Sequence, residues 1–175
     1  MKAPEIPSRP LARLEMQPRA ELRRPALDFI LACAASLFPD SRQADRLERA
    51  AAAVLDMVLE NNRDGKSDRP IALEVSASEG RFALRVLHRG VPILAGGGKR
   101  SELNAHYFPR FLEASRNSET FVIENNWREG QVLLLTVALG RAGTSALLAE
   151  KAASPIIPED EAVTVRLIKP GEEEA

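Results

Sequence analysis

The stretch from Asp40 to Asn62 constrains the fold most. Ala44, Leu47, Ala51, Val54, Leu55, Val58 and Leu59 recur at steps of three and four residues. That spacing stacks side chains on one face of an α-helix. Arg42, Asp45, Arg46, Glu48 and Arg49 fall mostly outside the stripe. A helix with one apolar face must bury it against a second layer. Asp40 followed by Gln43 three residues later forms a capping-box-like start, and Asp64-Gly65 supplies a stop. The pattern predicts a helix over 41–61.

The rest of the chain supplies the other layer. LARLEMQ (11–17) alternates weakly and predicts a short strand, placed at a sheet edge. Leu22, Ala26, Phe29, Ile30 and Cys33 predict a helix, regular from about Pro25 and ended by Pro39. Ile71, Leu73, Val75 and Ala77, then Phe82, Leu84, Val86 and His88, alternate with smaller or polar residues around a turn at 78–80 and predict a hairpin. Residues 89–100 read as a glycine-rich loop. A short turn to Tyr107 and a helix from Pro109 follow, with Phe111, Leu112 and Ser115 facing inward. Phe121–Asn125 and Gln131–Leu139 predict a second hairpin. Its second strand, apolar on both sides from Val132 to Leu135, belongs at the centre of a sheet or between two covering layers. A short helix at 145–153 and a last strand at 163–168 complete the pattern. The expected fold is α+β: a two-layer α/β sandwich with helices on one face of a mixed or antiparallel sheet. The divisions are a flexible leader (1–11), a main domain (12–140), a helix and connector (141–160), and a strand with an acidic tail (161–175).

Composition narrows the function classes. Lys and Arg number 24 against 25 Asp and Glu, a balance unlike that of a dedicated nucleic-acid binder. Cys33 is the single cysteine, which excludes an internal disulfide, and two histidines give little material for a zinc site. No apolar run reaches bilayer-spanning length and no signal-peptide core precedes the domain. The expectation is a soluble, cytoplasmic protein that engages neither membrane nor nucleic acid and holds no metal.

Three segments in this order, ERAAAAVLDMVLENNRDG (48–65), RPIALEVSASEGRFALRVLHRGVPI (69–93) and ENNWREGQVLLLTVAL (124–139), resemble the histidine-kinase-like ATPase domain, the GHKL or Bergerat fold. The resemblance is to its small anti-sigma-factor and serine-kinase branch and covers roughly residues 12–140. It implies an ATP site on the 41–61 helix and beside the first hairpin. The family's water-activating acid maps to Asp56, and its magnesium-binding Asn maps to Glu60. In the alternative register Glu60 is the acid and Asp64 takes the magnesium position. The family's adenine-reading Asp maps to His88, within a His88-Arg89-Gly90-Val91-Pro92 segment that keeps the family's Gly and Pro. The family's helix-opening glycines are replaced by Asn104 to Pro109. Upstream, Gly96, Gly97, Gly98 and Lys99 offer a phosphate-binding nest.

With three features altered, the resemblance implies a regulatory, non-catalytic module that resembles an anti-sigma factor and holds no cofactor. Its partner would be a protein, a sigma factor or an anti-anti-sigma protein, and a homodimer is compatible with it. The alternative is an active serine kinase or ATPase using ATP and magnesium, with Asp56 as catalytic acid and Glu60, Asp64, His88, Gly90, Gly96, Gly97, Gly98 and Lys99 around the nucleotide. A second resemblance, of DEAVTVRLIKPGEEEA (160–175) to the opening of a GNAT acetyltransferase, would make the chain a regulatory domain attached to such an enzyme. An extra edge strand with an acidic tail explains that segment equally well.

Plainer readings stand beside these. Asp56 and Glu60 are also what a solvated helix face looks like. His88, in register with Phe82, Leu84 and Val86, reads as a half-buried, hydrogen-bonded histidine. The GGGKR stretch reads as a mobile loop. His106-Tyr107-Phe108 is either a binding patch or a plug. Trp127 either anchors a partner or covers the sheet end. Arg23, Arg24, Arg42, Arg46 and Arg49, with their intervening acids, read as a solvated face.

Overall fold

The computed structural model describes residues 10–35, 37–38, 41–61, 69–78, 80–90, 93–95, 102–103, 105–126, 130–139 and 164–166. Strand β1 (Ala12–Met16) leads through a 3-10 turn at Ala20–Leu22 into helix α1 (Arg23–Ala34) and then α2 (Ser41–Asn61). Strands β2 (Ile71–Ser78) and β3 (Arg81–His88) form the first hairpin. Two short strands, β4 (Leu94–Ala95) and β5 (Glu102–Leu103), pair with each other. A 3-10 turn at Ala105–Tyr107 opens α3 (Phe108–Arg116), and β6 (Thr120–Asn126), β7 (Gly130–Ala138) and β8 (Thr164–Arg166) follow.

The main sheet has six strands in the order β6-β7-β3-β2-β1-β8. Five run antiparallel, and β8 pairs parallel with β1. The helices pack on one face, giving the expected two-layer α+β sandwich. Leu47, Val54, Leu55 and Val58 of α2 lie buried against Leu73, Val75, Leu84, Val86, Leu133 and Leu135 of the sheet, as the periodicity predicts. β7 lies between β6 and β3 and is buried on both faces: Val132 and Leu134 on one, Leu133 and Leu135 on the other. Among the described residues no helix is long and apolar enough to cross a membrane.

Four expectations change. β1 is not an edge strand, because β8 covers its outer side. Helix α1 starts two residues before Pro25, which its first turn tolerates. Its buried face centres on Ala26, Leu27, Ile30 and Ala34, while Phe29 and Cys33 are half-buried. In α3 the buried residue is Ala114; Phe111, Leu112 and Ser115 are half-buried, and Phe111 meets Phe121 of β6 with ring centroids 5.3 Å apart. A nine-residue helix lying over the sheet end has room for one small buried contact and leaves its larger side chains at the margin. Residues 1–9 of the leader, the Asp40 cap, the Asp64-Gly65 stop, Trp127 and the predicted helix at 145–153 fall outside the described residues.

Candidate functional site

Asp56 and Glu60 stand four residues apart on α2, which sits between α1 and α3. Each carboxylate meets an arginine from a different neighbour. Arg23 of α1 donates from Nε to Asp56 Oδ1 at 2.5 Å and from Nη2 to Oδ2 at 3.0 Å. This is the forked geometry in which guanidinium and carboxylate match best. The bond to Asp56 raises the Arg23 pKa above its ordinary value, against a smaller lowering from burial. Glu60 Oε1 accepts from Arg110 Nη2 of α3. Glu60 Oε2 is buried without a hydrogen-bond partner among the described residues, and His106 Nε2 lies 3.6 Å from it. These carboxylates therefore tie three helices together and are not the solvated face that their spacing alone suggests.

His88 ends β3 on the helix-facing side, following Phe82, Leu84 and Val86. It is 1% exposed, not half-buried, and neither ring nitrogen completes a hydrogen bond among the described residues. Burial disfavours the charged imidazolium and lowers its pKa to about 4. Gln131 of β7, directly opposite, counters that shift in part. The Gln131 amide is engaged elsewhere: Oε1 accepts from the Ile93 N–H and Nε2 donates to Asn125 Oδ1, both at 2.6 Å. Ile93 is fully buried, so this residue is pinned where the sequence suggests only a loop. Gly130 completes this corner with φ of 99°. A Cβ there would collide with the carbonyl oxygen of His88, so the close approach of β7 to β3 at this end requires glycine.

The His106-Tyr107-Phe108 stretch divides. Tyr107 is buried, whereas Phe108 and Pro109 are exposed. Phe108, at 52% exposure, is one of two large hydrophobic residues exposed among those described. Next to it, α2 and α3 flank an open groove of about 450 Å³ lined by Arg49, Ala52, Ala53, Asp56, Pro109, Arg110 and Glu113.

Of the residues assigned to a nucleotide site, the structure thus places Asp56 and Glu60 together on one helix, with Glu60 beside His106. His88 lies at the end of β3 with Gly90 just beyond it. Asp64, Gly96, Gly97, Gly98 and Lys99 lie outside the described residues. Among the described residues no cluster of three potential metal-ligating side chains occurs. Arg23 and Arg110, which bond Asp56 and Glu60, and Gln131, which stands opposite His88, are absent from the sequence reading of the site. Their partners are 33, 50 and 43 residues away along the chain, beyond what local periodicity senses. The chain matches no protein-family model and no curated protein.

Proposed function

We propose that this chain is a regulatory, non-catalytic module that resembles an anti-sigma factor of the histidine-kinase-like ATPase class and acts by binding a protein. The observation that carries the reading is the pair of arginine contacts on α2. An acid that activates water needs a carboxylate oxygen free to accept the water's proton. Asp56 commits both oxygens to hydrogen bonds from Arg23, which leaves neither of them turned to a water. Glu60, at the magnesium position, is joined to Arg110 and adds negative charge where phosphates would approach. His88, at the base-reading position, is neutral and buried, and carries no carboxylate to accept an adenine amino proton. The exposed Phe108 beside the α2–α3 groove suits protein contact. The partner fitting this reading is a sigma factor or an anti-anti-sigma protein, met in the cytoplasm, with the protein itself monomeric or a homodimer.

Two measurements test it. Calorimetry with ATP and magnesium should give no binding tighter than about 1 mM, which corresponds to roughly 4 kcal/mol. Micromolar binding would overturn the reading in favour of a serine kinase or ATPase. Capture from native lysate should retain a sigma factor or a sigma-regulating protein, and Phe108→Asp should abolish that capture. Retention that survives the substitution, or no such protein at all, would count against the reading.

A further inference from the structure

The helix-free face of the sheet carries an ionic row that the helix-side site does not use. The register sets Arg13 of β1 opposite Glu74 of β2, and Glu74 opposite Arg85 of β3. Directly opposed side chains on adjacent strands lie within reach of one another. Arg13 Nη1 donates to Glu74 Oε1 at 2.5 Å, and Arg85 Nη1 donates to Glu74 Oε2 at 2.8 Å. Arg13 also holds Glu15, through Nη2 at 2.7 Å and Nε at 3.1 Å. Two residues further along the strands, on the same face, Ala72 stands between Glu15 and Leu87, and its short side chain leaves a depression. The result is a pocket of about 450 Å³, within the range of small-molecule sites. Arg69 and Arg89, both exposed, complete its rim.

Four guanidinium groups line this pocket, against the carboxylates of Glu15 and Glu74 among the described residues. Among the described lining residues, positive groups therefore outnumber negative ones by two. The half-buried arginines are fixed by Glu74, whose side chain is only 12% exposed, so their orientation is set in advance. Arg69, Arg85 and Arg89 have further interactions of their own, so a ligand would join an existing network. A guanidinium offers five N–H donors in a planar fork, more than one carboxylate oxygen takes up. We propose that this pocket binds a compact, multiply charged oxyanion: a small molecule carrying phosphate or carboxylate groups, held by Arg13, Arg69, Arg85 and Arg89.

The test titrates pyrophosphate and, separately, citrate into the full chain by calorimetry at near-physiological salt. At least one probe should bind with one-to-one saturation and a sub-millimolar Kd. The tighter of the two identifies phosphate or carboxylate as the recognised group. The double variant Arg69→Gln, Arg89→Gln should weaken that binding at least about tenfold while leaving the melting temperature unchanged. Both residues are exposed, so the fold does not depend on burying them. Absence of saturable binding by both probes, or equal affinity in the double variant, would overturn the proposal. ATP also carries phosphates, so the nucleotide titration is repeated on this variant. Binding lost with the two arginines belongs to this pocket, and binding that survives belongs to the helix side.

Discussion

His88 shows how one side chain can set a protein's response to acid. In the unfolded chain an imidazole takes up a proton near its ordinary pKa of about 6.5. In the folded protein it does so only near 4. Between those values the unfolded state binds more protons, so stability rises with pH. The contribution is intact above about pH 6.5 and is lost progressively as pH falls toward 4. A shift of this size corresponds to about 3 kcal/mol. Denaturant titrations should therefore show a steep loss of stability between pH 6.5 and 4.5, and His88→Leu should flatten it. An equal acid slope in the variant would assign the loss to other groups. Gly130 makes a second prediction at the same corner. Its φ of 99° and the carbonyl of His88 both oppose a side chain. Gly130→Ala should cost on the order of 1–3 kcal/mol, the range for strained backbone, and chemical denaturation measures it. His88's strand and phase were legible from its alternation with Phe82, Leu84 and Val86. Its complete burial was not, because the neighbour opposite it, Gln131, comes from β7, 43 residues further along the chain.

At the scale of elements, α2 organises the helical layer through two kinds of contact with different worth. Its apolar stripe was legible in the sequence because helical periodicity is a local property: Leu47, Ala51, Val54, Leu55, Val58 and Leu59 are buried, and Ala44 is half-buried. Leu55 is fully buried, so Leu55→Ala should cost about 2–5 kcal/mol, as large-to-small core changes do. The charged contacts were not legible, since Arg23 and Arg110 come from helices whose placement only the fold decides. They are also weaker than their geometry suggests. Arg23 and Asp56 side chains remain 40% and 31% exposed, and solvent screens such pairs. A double-mutant cycle with Arg23→Gln and Asp56→Asn should give a coupling below about 1 kcal/mol that shrinks as salt is added. A coupling of several kcal/mol, insensitive to salt, would mark the pair as a principal support of the α1–α2 contact. The contrast has a functional side. The leucine and valine contacts hold α2 in place, while the arginines mainly fix which groups its outer surface presents.

Across the whole molecule, the sheet joins parts of the chain that the sequence keeps far apart. The ionic row on its helix-free face draws Arg13, Glu74 and Arg85 from three strands. Each is unremarkable in its own segment, which is why the pocket could not be read from motifs. β8 extends the same logic. Its three residues pair parallel with β1, setting Leu14 opposite Val165 and Glu15 opposite Arg166. A central strand sends alternate backbone groups to each neighbour, so β1 relies on β8 for the bonds that β2 does not make. Proline at position 165 would remove an N–H and fix φ, which strips a short strand from its partner. In Val165→Pro, the β1 amides facing β8 should exchange with solvent at least about tenfold faster, as local opening requires less than global unfolding. Amides of β3 and β7, at the other side of β2, should keep their protection, because those strands are paired on both sides without β8. Loss of protection in β3 and β7 as well would mean that residues 164–166 are needed for the cooperative fold. No change in β1 would mean that the parallel pairing contributes nothing to protection in solution. The intermediate pattern, confined to β1, makes β8 a separable edge: a strand that closes the sheet beside Arg13 and Glu15 without carrying the helix-side core.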